Sequence, residues 1–533
     1  MRMLTDSWTA GYLDYARSPG DYRVRVRRWH VVMPVGGLAV SPVPDWRRGL
    51  NYLREIGPAS LARKAVSRLQ ERWRGGKYLA IGLGEVAEAD PGAPIPPGRS
   101  VAFLAPAGPR CVERLVLPTE FLLPVERGVP APAVPKDALL FSEGGTPERL
   151  LALATRFAGW SSESGLEIDK AALRRTLEAA EDFLAERGVE GCVAYGLTTP
   201  SAVWEVNERA SPVGAVRAVA WGYGHHMRTM VIPNVARRLS VVKVHEVDPV
   251  QIGPAQAFPF GCDTSAAPRE PERYDVHLVA GFHHTHGPLA AHALRQGAAV
   301  VVEKPLVTTH QQLDDLLAAL RGGSGRLFGG FQKRYVSFNK AALRDLRVSR
   351  GEPVSYHAIV HEVPLPPYHW YRWPNSGSGL LSHGCHWIDH FLFLNGFSPV
   401  TTCDVWEGRS EDIVAVMELE NGATLSLTLT HQGSSRIGVQ DHIELRANGV
   451  TVQMRNTSRY FAEDGRRVIR RLRANKTRPY TLMYRSIADR ILAGQPGDDP
   501  TETERSARAV LMLEERLQAK RKHAGVLTSA SSP

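Results

Sequence analysis

The chain has 533 residues, with 65 Lys and Arg against 55 Asp and Glu, a formal net charge of +10 and 43% hydrophobic residues. That length predicts about two to four domains, and the apolar fraction supplies a sizeable core, which excludes a disordered or fibrous chain. The basic excess is spread along the chain; it reads as solvated surface rather than a nucleic-acid interface, and it also suits phosphate-bearing small ligands.

Residues 1–150 mix Pro and Gly with short β-like runs such as Tyr22-Arg23-Val24-Arg25-Val26 and Ser100-Val101-Ala102-Phe103-Leu104, interrupted by one helical stretch near 60–74. That pattern predicts a small, mainly-β domain. Residues 151–213 read as a helical connector, with Leu166, Leu173, Leu177, Ala180 and Leu184 at helical spacing. From 214 to 335, strands alternate with Gly-rich turns and helices: strands near 216–221, 241–244, 276–280 and 298–302, helices near 225–239, 287–296 and 310–320. Such alternation predicts a parallel sheet. From 336 to 527, alternating strands such as 413–419 and 423–429, joined by Glu420-Asn421-Gly422, predict an α+β domain with an open antiparallel sheet. Helices near 481–492 and 501–522 close that domain, and 528–533 read as a disordered tail. The fold class is therefore α/β, with a mainly-β appendage ahead of it.

Gly222-Tyr223-Gly224-His225-His226-Met227 follows a strand and opens a helix. Two glycines there permit a tight turn and close approach to a pyrophosphate, which the helix N-terminus also favours. Met227 stands where a third Gly or Ala is usual. Asp248, after the second strand, is placed to accept from a ribose 2′-hydroxyl and repel a 2′-phosphate, which favours NAD over NADP; Glu246 is the alternative. Gly82-Leu83-Gly84 lacks a following helix, because Pro91, Pro94, Pro96 and Pro97 come too soon.

Lys304, in Glu303-Lys304-Pro305, ends the run Ala298-Ala299-Val300-Val301-Val302. Ligands bind at the carboxyl ends of strands in open parallel sheets, and a lysine there can donate to, or take a proton from, a hydroxyl. Gly281, Phe282, His283 and His286 form a βα loop expected beside the nicotinamide; with His284 they carry no carboxylate, so no metal site is expected. In Cys385-His386-Trp387-Ile388-Asp389, a helix would put His386 and Asp389 on one face, so that Asp389 orients an acid/base imidazole. The alternative is a local structural hydrogen bond. Tyr368-His369-Trp370-Tyr371-Arg372-Trp373 can stack on a sugar, or serve as core or subunit interface.

In order and spacing, Gly222-x-Gly224, His286, Glu303-Lys304-Pro305, Gly329-Gly330-Phe331-Gln332-Lys333-Arg334-Tyr335 and the run from Gly379 to Asp389 resemble the glucose–fructose oxidoreductase/inositol dehydrogenase (Gfo/Idh/MocA) family over about residues 214–525. The resemblance implies a Rossmann domain and NAD(P)-linked hydride transfer at a carbinol of a sugar, cyclitol or nucleotide-linked substrate, in a biosynthetic pathway. It implies Lys304 and His386 as catalytic groups, with Arg334, Tyr335, Trp370, Arg372 and Ser382 around the substrate. Many members carry Asp at the position of Ser382, and others would place Glu at His383; neither acid is present, so deprotonating a hydroxyl rests on Lys304 and His386. A redox-neutral epimerase or eliminase with retained NAD, and a non-catalytic dinucleotide-binding scaffold, are the alternatives. Residues 60–125 weakly resemble the GroES-like domain of bi-domain oxidoreductases, without zinc ligands. Five scattered cysteines, no signal-peptide core and no spanning apolar run lead to the expectation of a cytoplasmic protein, a homo-oligomer (dimer or tetramer) through its C-terminal sheet.

Overall fold

The computed structural model describes residues 214–530 except 247–258, 264–267, 269–271, 365–370, 372–375 and 435–437, and ahead of them five strands and short stretches near 53–62 and 95–99. The expected connector 151–213 lies outside the described residues. So do Asp248, Trp370 and Arg372.

Strands β1 (Asp21–Pro34), β2 (Tyr78–Ala89), β3 (Ser100–Ala107), β4 (Arg114–Pro118) and β5 (Leu122–Pro124) form an antiparallel sheet in the order β4-β1-β2-β3-β5. Gly82 and Gly84 lie inside β2, paired with Phe103 and Val101, so that doublet is strand and not a phosphate loop. The GroES-like resemblance rests on the sequence alone.

Six parallel strands follow: β6 (Arg217–Trp221), β7 (Ser240–His245), β8 (Gly261–Asp263), β9 (Val276–Val279), β10 (Ala299–Val302) and β11 (Arg326–Gly329), in the order β11-β10-β9-β6-β7-β8. Parallel sheets are covered on both faces, which is why these strands are almost wholly apolar. Val219, Val300 and Val302 pack with α1 (His283–Arg295) and α2 (His310–Gly322) through Leu289, Leu313 and Leu316. The alternate residues Ala218, Ala220, Val301 and Phe328 pack with Tyr484, Ile487 and Ile491. Those three belong to a helix (Arg478–Leu492) from the far end of the chain. That helix therefore covers the Rossmann sheet instead of closing the second domain. Asp498 adds a clasp, accepting from Gly329 N–H at 2.9 Å.

After α3 (Asn339–Leu346), eight strands build the second sheet: β12 (Ser355–His361), β13 (Val400–Glu407), β14 (Ile413–Leu419), β15 (Thr424–Thr430), β16 (Gln440–Ala447), β17 (Val450–Arg455), β18 (Arg459–Asp464) and β19 (Val468–Arg473). Their order is β13-β14-β15-β12-β16-β17-β18-β19. Antiparallel pairing holds except between β12 and β15, which run parallel. The cause is the crossover after β12 through α4 (Cys385–Leu394), which brings the β13–β15 meander back beside β12. The 420–422 hairpin forms as expected, with Gly422 at φ +84°. The closing helices are α5 (Arg478–Leu492) and α6 (Pro500–Ala530); α6 continues three residues into the stretch expected to be a disordered tail.

The carboxyl ends of β6, β9 and β10 share one edge of the parallel sheet, where Lys304 lines a cavity with His386 of α4. There Gly222 adopts φ +84°, and a Cβ on it would lie 2.6 Å from the Gly281 Cα. Gly222→Ala is expected to destabilise the chain by about 1–3 kcal/mol, the usual size of local backbone strain, read as a lower denaturant midpoint at unchanged m-value.

Candidate active site

The glycine turn is built by backbone constraint. Gly222 N–H donates to His245 O at 2.8 Å, which pins the turn to the end of β7. A Cβ at Gly224, by contrast, would meet open space, so nothing in the fold demands glycine there; an approaching ligand would. Met227 is fully buried in the core and fills the gap that a small residue would otherwise close. The helix after the turn is short: a π-helical turn, Met227–Val231, runs into Ile232–Val235. Glu246 directly follows β7, buried, and accepts from Tyr223 N–H at 2.5 Å.

Two expected cofactor contacts are instead structural. His286 sits between two loop carbonyls, its Nδ1 2.8 Å from Pro305 O and its Nε2 3.2 Å from Gly281 O; the neutral ring donates to one of them, so its place is fixed by the loops. His283 is buried with its ring 4.6 Å from Tyr371; burial, with His286 and Lys304 nearby, holds it well below the usual histidine range and neutral. Phe282 stacks on His284 at the start of α1.

Glu303 and Lys304 leave β10 in opposite bonds. Glu303 accepts from Tyr484 Oη and lies 3.4 Å from His226 Nε2, while His226 Nε2 is also 2.8 Å from Tyr484 Oη. Burial opposes its charge, but His226 and Tyr484 outweigh that and hold the carboxyl below its ordinary value. Lys304 Nζ donates to the Ser382 carbonyl at 2.8 Å, across to the second domain. Burial again opposes the charge; Tyr371, Cys385 and Glu303 outweigh it, and Lys304 is held above the ordinary lysine value. Lys304 is therefore a charged donor at neutral pH and not a base.

The expected His386–Asp389 pair does not form. Asp389, fully buried, accepts two bonds from Arg334 (Nη2 at 2.6 Å, Nε at 3.0 Å) and one from Ser506 Oγ at 2.7 Å. Arg334 lies over the Phe331 and Phe397 rings at 4.8 and 4.9 Å. So neither Asp389 nor Arg334 is available to the substrate or to His386: they are a buried ion pair. Tyr335 packs toward Arg490 and Asp498, away from the cleft. The 3₁₀ turn Gln332–Tyr335 instead turns Lys333 inward, where it pairs with Asp441 at 2.5 Å and sits 4.6 Å over Trp387. Ser382 faces its own turn, donating to Ser378 O at 3.1 Å; its carbonyl, not its hydroxyl, meets Lys304.

What the structure does bring together is a cavity of about 300 Å³ lined by Lys304, Lys333, Glu362, His383 and His386, with Tyr480 from α5. His386 is buried and, with Lys304 and Lys333 adding to the effect of burial, is held well below the usual histidine range. It presents a neutral imidazole whose Nδ1 has no hydrogen-bond partner among the described residues. Glu362 was not singled out by motif. Its signal was the two-residue period of β12: Tyr356, Ala358 and Val360 point inward, and Glu362 is the next inward position.

The fold and cleft define a two-domain α/β protein built on a Rossmann-type parallel sheet, with a lysine at a strand's carboxyl end facing the second domain. Residues 229–331 match the model of the GFO_IDH_MocA oxidoreductase family, NAD-binding Rossmann fold. Inositol 2-dehydrogenase 2 of Saccharopolyspora erythraea is 26% identical over 263 residues, 46% of this chain and 76% of that protein. A protein of Amycolatopsis mediterranei, provisionally named UDP-kanosamine synthase oxidoreductase subunit, is 30% identical over 211 residues, 38% of this chain and 57% of that one. Among solved structures, the WlbA dehydrogenase of Bordetella pertussis, in complex with NADH and UDP-GlcNAcA, is 18% identical with a TM-score of 0.47, covering 57% of this chain and 97% of that one.

Removing the Asp389 carboxylate strands the buried Arg334. Asp389→Ala is expected to cost about 3–5 kcal/mol in chemical denaturation, the usual penalty for breaking a buried ion pair, whereas a purely catalytic Asp389 would leave stability unchanged.

Proposed function

We propose that the chain is a nicotinamide-dinucleotide oxidoreductase that interconverts a carbinol and a carbonyl on a sugar, cyclitol or nucleotide-linked sugar. The observation that carries this reading is the pairing of a charged Lys304 and a neutral His386 on one cavity at the carboxyl end of β10. The glycine turn fits a dinucleotide: Gly222 cannot carry a Cβ, and Gly224 opens onto free space. Gly222, Tyr223 and Gly224 would hold its pyrophosphate, with Glu246 on the ribose; an acid there favours NAD over NADP. When bound, the nicotinamide supplies or accepts the hydride.

This chain's own groups do the rest. Lys304 holds the substrate oxygen with its ammonium, which stabilises negative charge as it develops there. His386, neutral, hydrogen-bonds the same oxygen and orients the carbon for in-line transfer. Lys333, held by Asp441, adds a second cation to the wall, suited to an anionic or polyhydroxylated substrate. The names of the relatives, an inositol dehydrogenase and a UDP-kanosamine synthase subunit, support cyclitols and nucleotide-linked sugars as the first compounds to assay. Assembly through the open face of the second sheet, where Ile359 is 59% exposed, belongs to the same proposal, and native mass spectrometry reads it directly.

Two outcomes are expected. In fluorescence titrations, NADH binds at least about tenfold tighter than NADPH, a difference of about 1.4 kcal/mol. With myo-inositol or UDP-sugars as substrates, Lys304→Met lowers kcat by at least about 10²-fold, as loss of a preorganised donor to the reacting oxygen does, and leaves the NADH dissociation constant unchanged. A Lys304→Met enzyme with full turnover would remove the assignment.

A further inference from the structure

Ser382 supplies no carboxylate, yet a carboxyl group reaches the same cavity from another element. Glu362, directly after β12, is 3% exposed. Its Oε2 lies 3.4 Å from His383 Nε2, and its Oε1 is buried with no hydrogen-bond partner among the described residues. A second cavity, of about 450 Å³, opens beyond it between Tyr371, Ser378, Glu407, His431 and Arg521. Glu362 and His383 line both cavities and so form the partition between them.

We propose that Glu362 and His383 carry the redox proton between the second cavity and the substrate oxygen held at Lys304, in place of the carboxylate that position 382 lacks. The proposal rests on the oxidoreductase reading above. In the reducing direction the carbonyl carbon gains the hydride, the C=O π pair moves onto oxygen, and that oxygen takes the proton of the Glu362 carboxyl. The resulting carboxylate regains a proton from His383, and His383 from water in the second cavity; oxidation runs the same transfers backward.

The other candidates are poor proton carriers. Lys304 is held charged, and losing its proton would leave a neutral amine bonded to the Ser382 carbonyl. His386 stays neutral, because a proton on it would add a buried positive charge beside Lys304 and Lys333. Glu362 lies between these extremes. Burial and Asp441 push its carboxyl up, Lys304, Lys476 and Lys333 push it down, and the balance leaves it at about 8. A carrier poised near the working pH gives and regains a proton with little driving force wasted.

The test uses the full chain, with and without NADH, titrated either side of pH 8 by infrared difference spectroscopy. The wild type is expected to lose a protonated-carboxyl C=O band with a midpoint near 8, a band absent from Glu362→Gln and shifted in Glu362→Asp. With the ketone of myo-inositol as probe, Glu362→Gln is expected to lower kcat about 10²-fold or more, the usual worth of general acid–base catalysis. KM and NADH binding should stay unchanged, the pH dependence near 8 should vanish, and Glu362→Asp should recover part of the rate. A band that persists in Glu362→Gln, or a wild-type rate and pH profile in that variant, overturns the proposal. A wild type that binds NADH but leaves the ketone unreduced refutes the cyclitol reading alone, because the infrared titration needs no turnover to decide on Glu362.

Discussion

A half-buried ammonium must find acceptors, and Lys304 finds its acceptor across the domain boundary. Its hydrogen bond to the Ser382 carbonyl joins the end of β10 to the π-helical turn Leu380–Gly384, which leads into α4. The neighbouring Glu303 is tied the other way, to Tyr484 on α5 and to His226 behind the glycine turn. Three segments that are distant in sequence are thus held by two adjacent residues, and the cavity exists because these bonds set its walls. Charged hydrogen bonds in a low-dielectric interior are stronger than exposed ones and expensive to leave unmade, so the same contacts that shape the site also stabilise the domain pairing.

Much of this architecture is legible from local pattern. The strands of 214–335 and the Asn-Gly hairpin at 420–422 depend on nearest neighbours and form near where the periodicity puts them, whereas the helix expected near 225–239 is only a π-helical turn and one further turn, Met227–Val231 and Ile232–Val235. The site is less legible, because its partners are non-local. A helical spacing of three residues puts His386 and Asp389 on one face, but it cannot show that Arg334, 55 residues earlier, reaches Asp389 first. Burial then decides the pairing. A guanidinium that is 12% exposed at its side chain needs a full carboxylate, whereas a neutral imidazole does not. The same blindness applies to the 332–335 turn, where a motif names two adjacent cations and only the backbone twist shows that Lys333, not Arg334, faces the cavity. Glu362 was readable in principle from the inward period of β12, but no motif marks it.

The charge pattern of the cleft follows from one competition. Lys304 and Lys333 line the same cavity, and each additional cation raises the cost of the next. Lys333 is neutralised by Asp441, which also accepts from Trp387 Nε1 at 3.1 Å. His283 and His386 respond by staying neutral, as buried imidazoles next to ammonium groups do, whereas His286 is lowered by burial alone, against the pull of Pro305 and Glu303. The cavity wall thus carries Lys304, Lys476 and the Lys333–Asp441 pair, and beside them one carboxyl raised to about 8, Glu362.

That division separates binding from proton transfer. In a site with an aspartate at position 382, a single carboxylate would sit beside the lysine, and its pKa would fall as the ammonium stabilised it. Here position 382 offers the ammonium only a carbonyl dipole, which satisfies Lys304 without adding a compensating charge. The carboxyl on the cavity wall is that of Glu362, directly after β12, where burial and Asp441 offset the pull of the lysines. A carboxyl raised in this way is a weaker acid, but it keeps its proton near neutral pH and so has one to give. Burial and Asp441 on one side and Lys304, Lys476 and Lys333 on the other leave the Glu362 carboxyl at about 8, the poise that the proposed proton transfer needs.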